Sequence, residues 1–553
     1  MRVLNTKADM SKSNISKENT CRGIHGAFYY NMHANPGKTL MESAGKTYDY
    51  RTVGSQACNV ISFINAHTGE NECAPGWVGV FCQDRAAAVA AYMGILASSK
   101  GFVPLDPDFP GARLNDMLKR SGINLLIVDR QSLARSREVL SQLDTAIHVC
   151  VVSFESDIPE SDLKDLAGTE GSTQTYHLAQ DYDTSESPLE YDVASDLPAY
   201  LMFTSGSTGR PKGVAISHGN VRHFLDSVMG IYNFNESDRF SQNFALTFDL
   251  SIFDLFVPIE ASATICVPSR GENIFIKKYI TRNKLTVWFS VPSLVSAAQA
   301  SRQLSHGIFE SLRYSLFCGE PLLVGQARQW QEAAPQSVIE NLYGPTEVTI
   351  ACTRYRWKKT SQMLDADIVP IGSAIGNVIT QVLDDNMHEV SPGQRGELVL
   401  GGDQVALGYL DDKAQQEVRF PKLATDLTAH YRTGDRVLLD PDDNKLLFIG
   451  RMDNQVQLNG YRVELSDIEV VLGNMLGGCQ VIVSPRPNYT SCNRIVVFLE
   501  KQSADNRNDT DILLESRDHL PYYMVPEKIV LIDKFPQNSN GKIDRKALAE
   551  LDH

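Results

Sequence analysis

The chain has no surplus of positive charge. Sixty-seven acidic residues against 52 Lys and Arg leave a formal net charge of −15, which argues against a general binder of nucleic acid or of anionic membrane. It has no long apolar run either: the longest, residues 86–97, is too short to cross a bilayer and suits a buried helix. The polar first twenty residues lack the apolar stretch of a signal peptide. Its ten cysteines include no C-x-x-C and no paired Cys/His spacing. A disulfide frame and a zinc site are therefore disfavoured, and reduced thiols in a cytosolic protein are expected. A Walker A loop, G-x-x-x-x-G-K-[ST], is missing as well.

What remains is a large globular composition. With 553 residues, 42% hydrophobic and 22% charged, the chain exceeds one ordinary core, and two or more domains are expected. Residues 1–25 read as a disordered arm. A hairpin over 37–54 leads to a helix through Val60, Phe63 and Ile64. Strand 76–82, helix 85–98 and strand 125–129 then alternate, which favours α/β layers with a largely parallel sheet. Residues 153–195, rich in Ser, Asp, Glu and Thr, read as a solvated connection and not as a site. A helix is expected over 219–230, and strands or buried turns over 244–257, 285–292 and 313–318. From residue 396 the pattern turns to β, in GELVLGG, YRTGDRVLL and KLLFIGR. After Arg451 a smaller unit begins, with DIEVVLGNML as a helix and VIVS and RIVVFLE as strands. The expected division is a large domain over 26–450, a hinge over 451–455 and a small α+β domain over 456–553.

The chemistry centres on LMFTSGSTGRPKG, residues 201–213. An apolar strand runs into a loop in which Gly206, Gly209 and Gly213 free the backbone. Thr204, Ser205, Ser207 and Thr208 supply hydroxyls and Lys212 a positive charge. Such a loop can cradle phosphate, although many Gly/Ser loops are only linkers.

Five further motifs follow it: NLYGPTE (341–347), GELVLGG (396–402), YRTGD (431–435), GRMDNQVQLNGYRVE (450–464) and NSNGKIDR (538–545). In this order the six resemble the core motifs of adenylate-forming enzymes, the superfamily of acyl-CoA synthetases, luciferases and peptide-synthetase adenylation domains. The resemblance runs from about residue 37 to 548. It implies a large N-terminal domain of sheets flanked by helices with a β-barrel-like subdomain, a small lid, and a site between them. The implied reaction activates a carboxylate with ATP and Mg2+ as an acyl-AMP and passes it to a thiol. By similarity, Lys542 on the lid bridges carboxylate and α-phosphate. Glu347 binds Mg2+, Thr346 contacts the α-phosphate, and Asp435 accepts from the ribose hydroxyls with Arg451 beside it. Gly319, Glu320, Pro321, Asn341, Tyr343 and Gly344 bracket the nucleotide, and the 204–213 loop holds the β- and γ-phosphates. Asp453 resembles the hinge of the lid. Where relatives carry basic residues the chain has Gln457 and Asn459, which puts contacts of the thiol-transfer conformation in doubt.

In FDLSIFDLF (248–256), Asp249 stands where amino-acid-activating relatives place the partner of the substrate ammonium; it is also a candidate helix N-cap. The pocket positions carried over are Leu250, Phe253, Phe289, Leu316, Cys318, Leu342, Ile350 and Ala351, although a buried Cys318 also suits an ordinary core. Large apolar residues leave room for a very small side chain. FDLSIFD with LFCGEPL resembles D-alanine–D-alanyl carrier protein ligase and its glycine-activating relatives, stand-alone enzymes that serve cell-envelope modification. Glycine is preferred over D-alanine. The expected thiol is the phosphopantetheine arm of a separate carrier protein, since the chain ends eleven residues after Lys542. An acyl- or aryl-CoA synthetase and a silent nucleotide-binding scaffold are the alternatives.

Overall fold

The computed structural model describes residues 20–68, 76–155, 174–182, 192–206, 210–269, 271–272, 274–358, 368–421, 429–488, 492–503, 507–537 and 543–551. Among these, two large sheets form the body. The eight-stranded sheet runs, edge to edge, Gly408–Tyr409, Lys212–Ser217, Pro198–Thr204, Gly101–Pro104, Trp77–Phe81, Leu125–Asp129, Ile147–Val152 and Gln174–Leu178. It is parallel from Pro198–Thr204 through to Gln174–Leu178, and antiparallel where Lys212–Ser217 pairs with Pro198–Thr204 and with Gly408–Tyr409. The nine-stranded sheet has a parallel centre of Val338–Tyr343, Tyr314–Phe317, Val287–Ser290, Arg239–Ser241, Thr264–Cys266 and Thr39–Ser43.

One core joins the two sheets through the helices Tyr50–His67, Arg85–Ala97, His218–Ile231 and Leu250–Glu260. The Arg85–Ala97 helix is apolar on every side and buried throughout residues 86–96, as a helix enclosed by other layers must be. Asp84 caps it, accepting from the Ala86 and Ala87 N–H groups at 2.8 and 3.2 Å. At Gly94 a Cβ would stand 2.7 Å from the Ala57 carbonyl, so glycine is what lets the two helices meet.

Several expectations need correction. Residues 20–22 pair with Asp192–Ala194 and Ile24 and His25 are buried, so the end of the supposed arm is ordered. Residues 244–257 are a turn and the start of the Leu250–Glu260 helix, not a strand: a short apolar run enclosed on all sides carries no usable period. The 153–195 stretch supplies Gln174–Leu178, an edge strand whose exposed face explains its polar sequence. The Ile379–Leu383, Arg395–Gly401, His430–Leu439 and Leu446–Arg451 strands form an open four-stranded antiparallel sheet and no closed barrel.

Residues 455–551 have their own cores. A hairpin of Gln455–Leu458 and Tyr461–Glu464 precedes the Leu465–Met475 helix and a sheet of Val481–Arg486, Arg494–Glu500 and Lys528–Ile532. Strand alternation divides that sheet's side chains. Val483, Ile495 and Val497 pack with Val456, Leu458 and Val463 of the hairpin, whereas Ile482, Val496 and Phe498 pack with Phe535 and Leu548 on the other face.

Candidate active site

The parallel strands of the nine-stranded sheet end at Ser241, Ser290, Phe317 and Tyr343, and the sequence-predicted residues gather just beyond these ends. This is where open α/β sheets bind ligands. Thr204 lies opposite Lys212 and Phe203 opposite Gly213, so the strands on either side of residues 205–211 are antiparallel neighbours. A Cβ on Gly206 would lie 2.1 Å from the Arg210 carbonyl, which explains glycine there. Ser207, Thr208, Gly209 and Lys542 lie outside the described residues.

The 455–464 hairpin fills the cleft. Its two-residue loop, Asn459–Gly460, has positive φ at both positions (50° and 88°), as a tight hairpin requires. A Cβ on Gly460 would sit 2.4 Å from Val291 Cγ1, and the Gly460 carbonyl faces Gly319. Ser205 Oγ donates to the Arg462 carbonyl at 2.8 Å and accepts from the Glu464 N–H at 3.0 Å, so this hydroxyl is held by the backbone of the hairpin. Burial lowers the pKa of Lys212, with Glu464 acting against it.

Glu347, in the short Thr346–Val348 turn, is 1% exposed. Its Oε2 accepts from Arg462 Nη1 at 2.5 Å and its Oε1 from the Tyr409 hydroxyl at 2.7 Å. Burial alone would raise its pKa; the Arg462 guanidinium and the Tyr409 hydroxyl overcome this and hold it at about 2. A buried, fully ionised carboxylate demands a cation. Arg462 is that cation in this arrangement, and the same oxygens suit a hard divalent ion such as Mg2+ once Arg462 leaves. Bound there, the ion would offset triphosphate charge. Arg462 stands opposite Gln457 on the hairpin, so the missing basic residue at 457 has a charged neighbour on the same face. Asn459 makes the turn and donates to the Asn493 carbonyl at 3.3 Å.

Tyr343, Asp435 and Arg451, three of the residues carried over for the nucleotide, form one network with Asp453. The Tyr343 hydroxyl donates to Asp435 Oδ2, and Arg451 Nη1 donates to Asp435 Oδ1 at 2.8 Å. Arg451 also grips Asp453 through two contacts of 2.9 and 2.6 Å, and Arg419 joins at 3.2 Å. Asp453 is thus pinned between two guanidiniums. Asn341 Nδ2 donates to the Val369 and Pro370 carbonyls at 3.2 and 2.9 Å, leaving its carbonyl oxygen for a ligand. At Gly344 a Cβ would stand 2.6 Å from Ala351 Cα. Burial pushes Glu320 up to about 7, and the Ser293 N–H, which it accepts at 2.8 Å, pulls the other way. Pro321 follows in the same turn.

Asp249 is 4% exposed and makes no side-chain cap bond to the helix it precedes, although the Leu250 N–H at the start of that helix acts on its carboxyl. Burial pushes its carboxyl up to about 7, with the Thr346 hydroxyl opposing and Glu347 adding to the rise. Leu250, Phe253, Phe289, Leu316, Cys318, Leu342, Ile350 and Ala351 are each at most 2% exposed and belong to one continuous core. The Phe253 and Phe289 rings lie 4.4 Å apart. The Cys318 thiol is pushed up by burial and by Asp249, which places it beside that carboxyl.

Four residues here were not foreseen. Arg462 sat unassigned inside a quoted motif, although QVQL-NG-YRVE is a strong hairpin signal. Tyr409 and Arg419 carry no local pattern. Gln404, 2% exposed, donates to the Val348, Thr349 and Ala351 carbonyls at 3.3, 3.2 and 3.0 Å and accepts from Thr349 Oγ1 on its own carbonyl at 2.7 Å. It clamps a turn in which Thr349 and the β-branched Ile350 hold φ of 54° and 71°, a costly conformation that persists only when its surroundings enforce it.

The class now follows. The profile of the family described as AMP-binding enzyme matches residues 28–410, and the chain belongs to that family. Among solved structures it is similar to the Vibrio cholerae adenylation domain AlmE in complex with glycyl-adenosine-5′-phosphate, with a TM-score of 0.84 at 27% identity over 98% of this chain and 99% of that one. Among curated relatives, D-alanine–D-alanyl carrier protein ligase of Bacillus velezensis is 28% identical over 525 residues, 94% of this chain and 97% of that protein. The anguibactin system regulator of Vibrio anguillarum is 29% identical over 96% of this chain. The chain spans about half the length of that regulator, 47%.

Proposed function

We propose that this enzyme activates a small amino acid, glycine before D-alanine, as its aminoacyl-AMP and transfers it to the phosphopantetheine thiol of a separate carrier protein. The carrying observation is the Asp249 carboxyl, buried beside the apolar pocket positions with no side-chain cap bond and with the Thr346 hydroxyl and the Leu250 N–H acting on it. A carboxylate there, paired with a substrate ammonium, rejects plain acyl acids because they would leave it desolvated and alone. The two phenylalanine rings, tilted against each other, and Leu342 favour the smallest side chain. The similarity to a glycyl-adenylate complex and to D-alanine–D-alanyl carrier protein ligase supports the same reading.

In the chemistry so proposed, Lys542 and Thr346 steady the oxygens between which charge develops, Glu347 holds Mg2+, and Asp435 orients the ribose. The arrangement described here suits the second half of the reaction. The hairpin is in the cleft, while the Phe535 and Leu548 that flank residue 542 in sequence pack on the lid face opposite the hairpin. A cavity of about 220 Å³ is lined by Gln83, Arg85, Asp106, Ala245, Thr247 and, from the small domain, Tyr522, and is the proposed path of the pantetheine arm. Envelope modification is the process this product would serve. Amino-acid-dependent ATP–pyrophosphate exchange tests the reading: glycine and D-alanine should support exchange, and exchange with fatty or aryl acids alone, or none at all, would refute it.

A further inference from the structure

Three histidines from separate elements meet at the far edge of the eight-stranded sheet. His67 ends the Tyr50–His67 helix, His148 lies in Ile147–Val152 and His177 in Gln174–Leu178. Register accounts for the convergence. Cys150 pairs laterally with His177, and His148 is two residues before Cys150, so both strands present imidazoles to one face. The C-terminal turn of the helix covers that face. The ring centroids are 4.5 Å apart for His67–His148 and for His67–His177, and 5.8 Å for His148–His177. One nitrogen from each ring lies within 4.8 Å of the other two.

The lone pairs are available. His67 Nδ1 is 2.9 Å from the Phe63 carbonyl, which can only accept, so the proton sits on Nδ1 and Nε2 is left as a ligand. His148 Nδ1 and His177 Nε2 are buried without a hydrogen-bond partner. Burial, and then the neighbouring imidazoles, lower the pKa of both rings and keep them neutral. Simple aromatic packing with Phe63 and Tyr182 would be served by phenyl rings; three imidazoles with unused nitrogens call for something to bind them. Asp181 is the carboxylate whose field reaches His177.

We infer that His67, His148 and His177 form a binding site for a late divalent transition metal, zinc in the first instance, that ties the end of the Tyr50–His67 helix to the edge strand. Neutral imidazole is the ligand such ions take, and three with a water is a common set. Zn–N bonds of about 2.0–2.1 Å in a tetrahedron place the nitrogens ~3.4 Å apart. The rings therefore close by about an ångström on binding, which side-chain rotation provides. Five strands lie between Gln174–Leu178 and Lys212–Ser217, so at the usual strand spacing these two strands are ~29 Å apart. The site serves stability and not the chemistry of the cleft.

The test uses the full chain, stripped with chelator and titrated with Co2+. One equivalent should bind with the visible bands of a tetrahedral nitrogen site, be displaced by Zn2+ and raise the melting temperature. His67→Ala and His177→Ala each remove a direct ligand and should weaken binding by more than the ~10–100-fold that loss of an outer-shell partner costs, while pyrophosphate exchange stays at the wild-type rate. Should a variant misfold, carbethoxylation of the wild type mapped by mass spectrometry decides: Zn2+ should protect these three histidines. Equal labelling with and without Zn2+, or undiminished Co2+ binding in the variants, overturns the site.

Discussion

Replacing Asp249 by Asn should stabilise the protein and disable it, with both effects set by pH. The carboxyl is 4% exposed and its pKa stands at about 7 against an ordinary 3.8. The folded state therefore holds this proton more tightly than the unfolded chain. Stability tied to the group is intact below about pH 4 and is lost as pH rises toward 7. The gap of about three pH units is on the order of 4 kcal/mol at pH 8, an upper figure that Asn, isosteric and neutral, would recover. Asp249→Asn should melt a few degrees above wild type at pH 8 and match it near pH 4. Activity should move the other way. Below the pKa only a fraction of the enzyme carries the carboxylate, so the amino-acid KM of the wild type should rise roughly tenfold from pH 8 to pH 6. Loss of a charge-assisted contact should raise the KM of the variant ~10–100-fold and flatten that dependence. The assays are thermal denaturation and amino-acid-dependent exchange across this pH range. An unaltered KM in the variant, or a wild-type KM flat from pH 6 to 8, would refute the assignment.

Gly460→Ala adds a Cβ 2.4 Å from Val291 Cγ1 at a φ of 88°; it should leave pyrophosphate exchange nearly unchanged and cut aminoacyl transfer to carrier at least tenfold, and equal losses in both would contradict the docked-hairpin reading. Arg462→Met strands the buried Glu347 carboxylate in the docked lid, at a cost of ~3–5 kcal/mol, so transfer should fall far more than exchange and partly recover at acidic pH as Glu347 protonates. Gln404→Ala leaves three carbonyls of the 348–351 turn without their donor; a loss of on the order of 2–4 kcal/mol in unfolding free energy is expected, with amino-acid KM raised, and a silent variant would show that the turn is held elsewhere.

Much of this was legible in the chain. Strands such as LLIVD and RIVVFLE, the 39–49 hairpin and the buried 85–97 helix follow from local composition and period, and all are present. In 244–257, expected as strand or buried turn, the first half is the turn and the helix from Leu250 onward left no trace in the pattern, because residues enclosed by two sheets need no period. The edge strand with His177 was passed over because a strand with a solvated face and one deep residue resembles a polar linker. Gln404, Tyr409 and Arg419 bind the site through contacts tens of residues away in sequence, and no local pattern marks such a role.

Order and spacing of motifs along the chain determined the family, the residues that assemble in the cleft and the apolar character of the pocket. These depend on residue type, and residue type is what a sequence states. Only the tertiary structure decided which charges meet: that Glu347 is neutralised by Arg462 from 115 positions away, that Asp249 is buried without a side-chain cap bond, and that three histidines on a helix and two strands share one space. Electrostatic energy depends on distance and desolvation, and neither is set until the chain has folded.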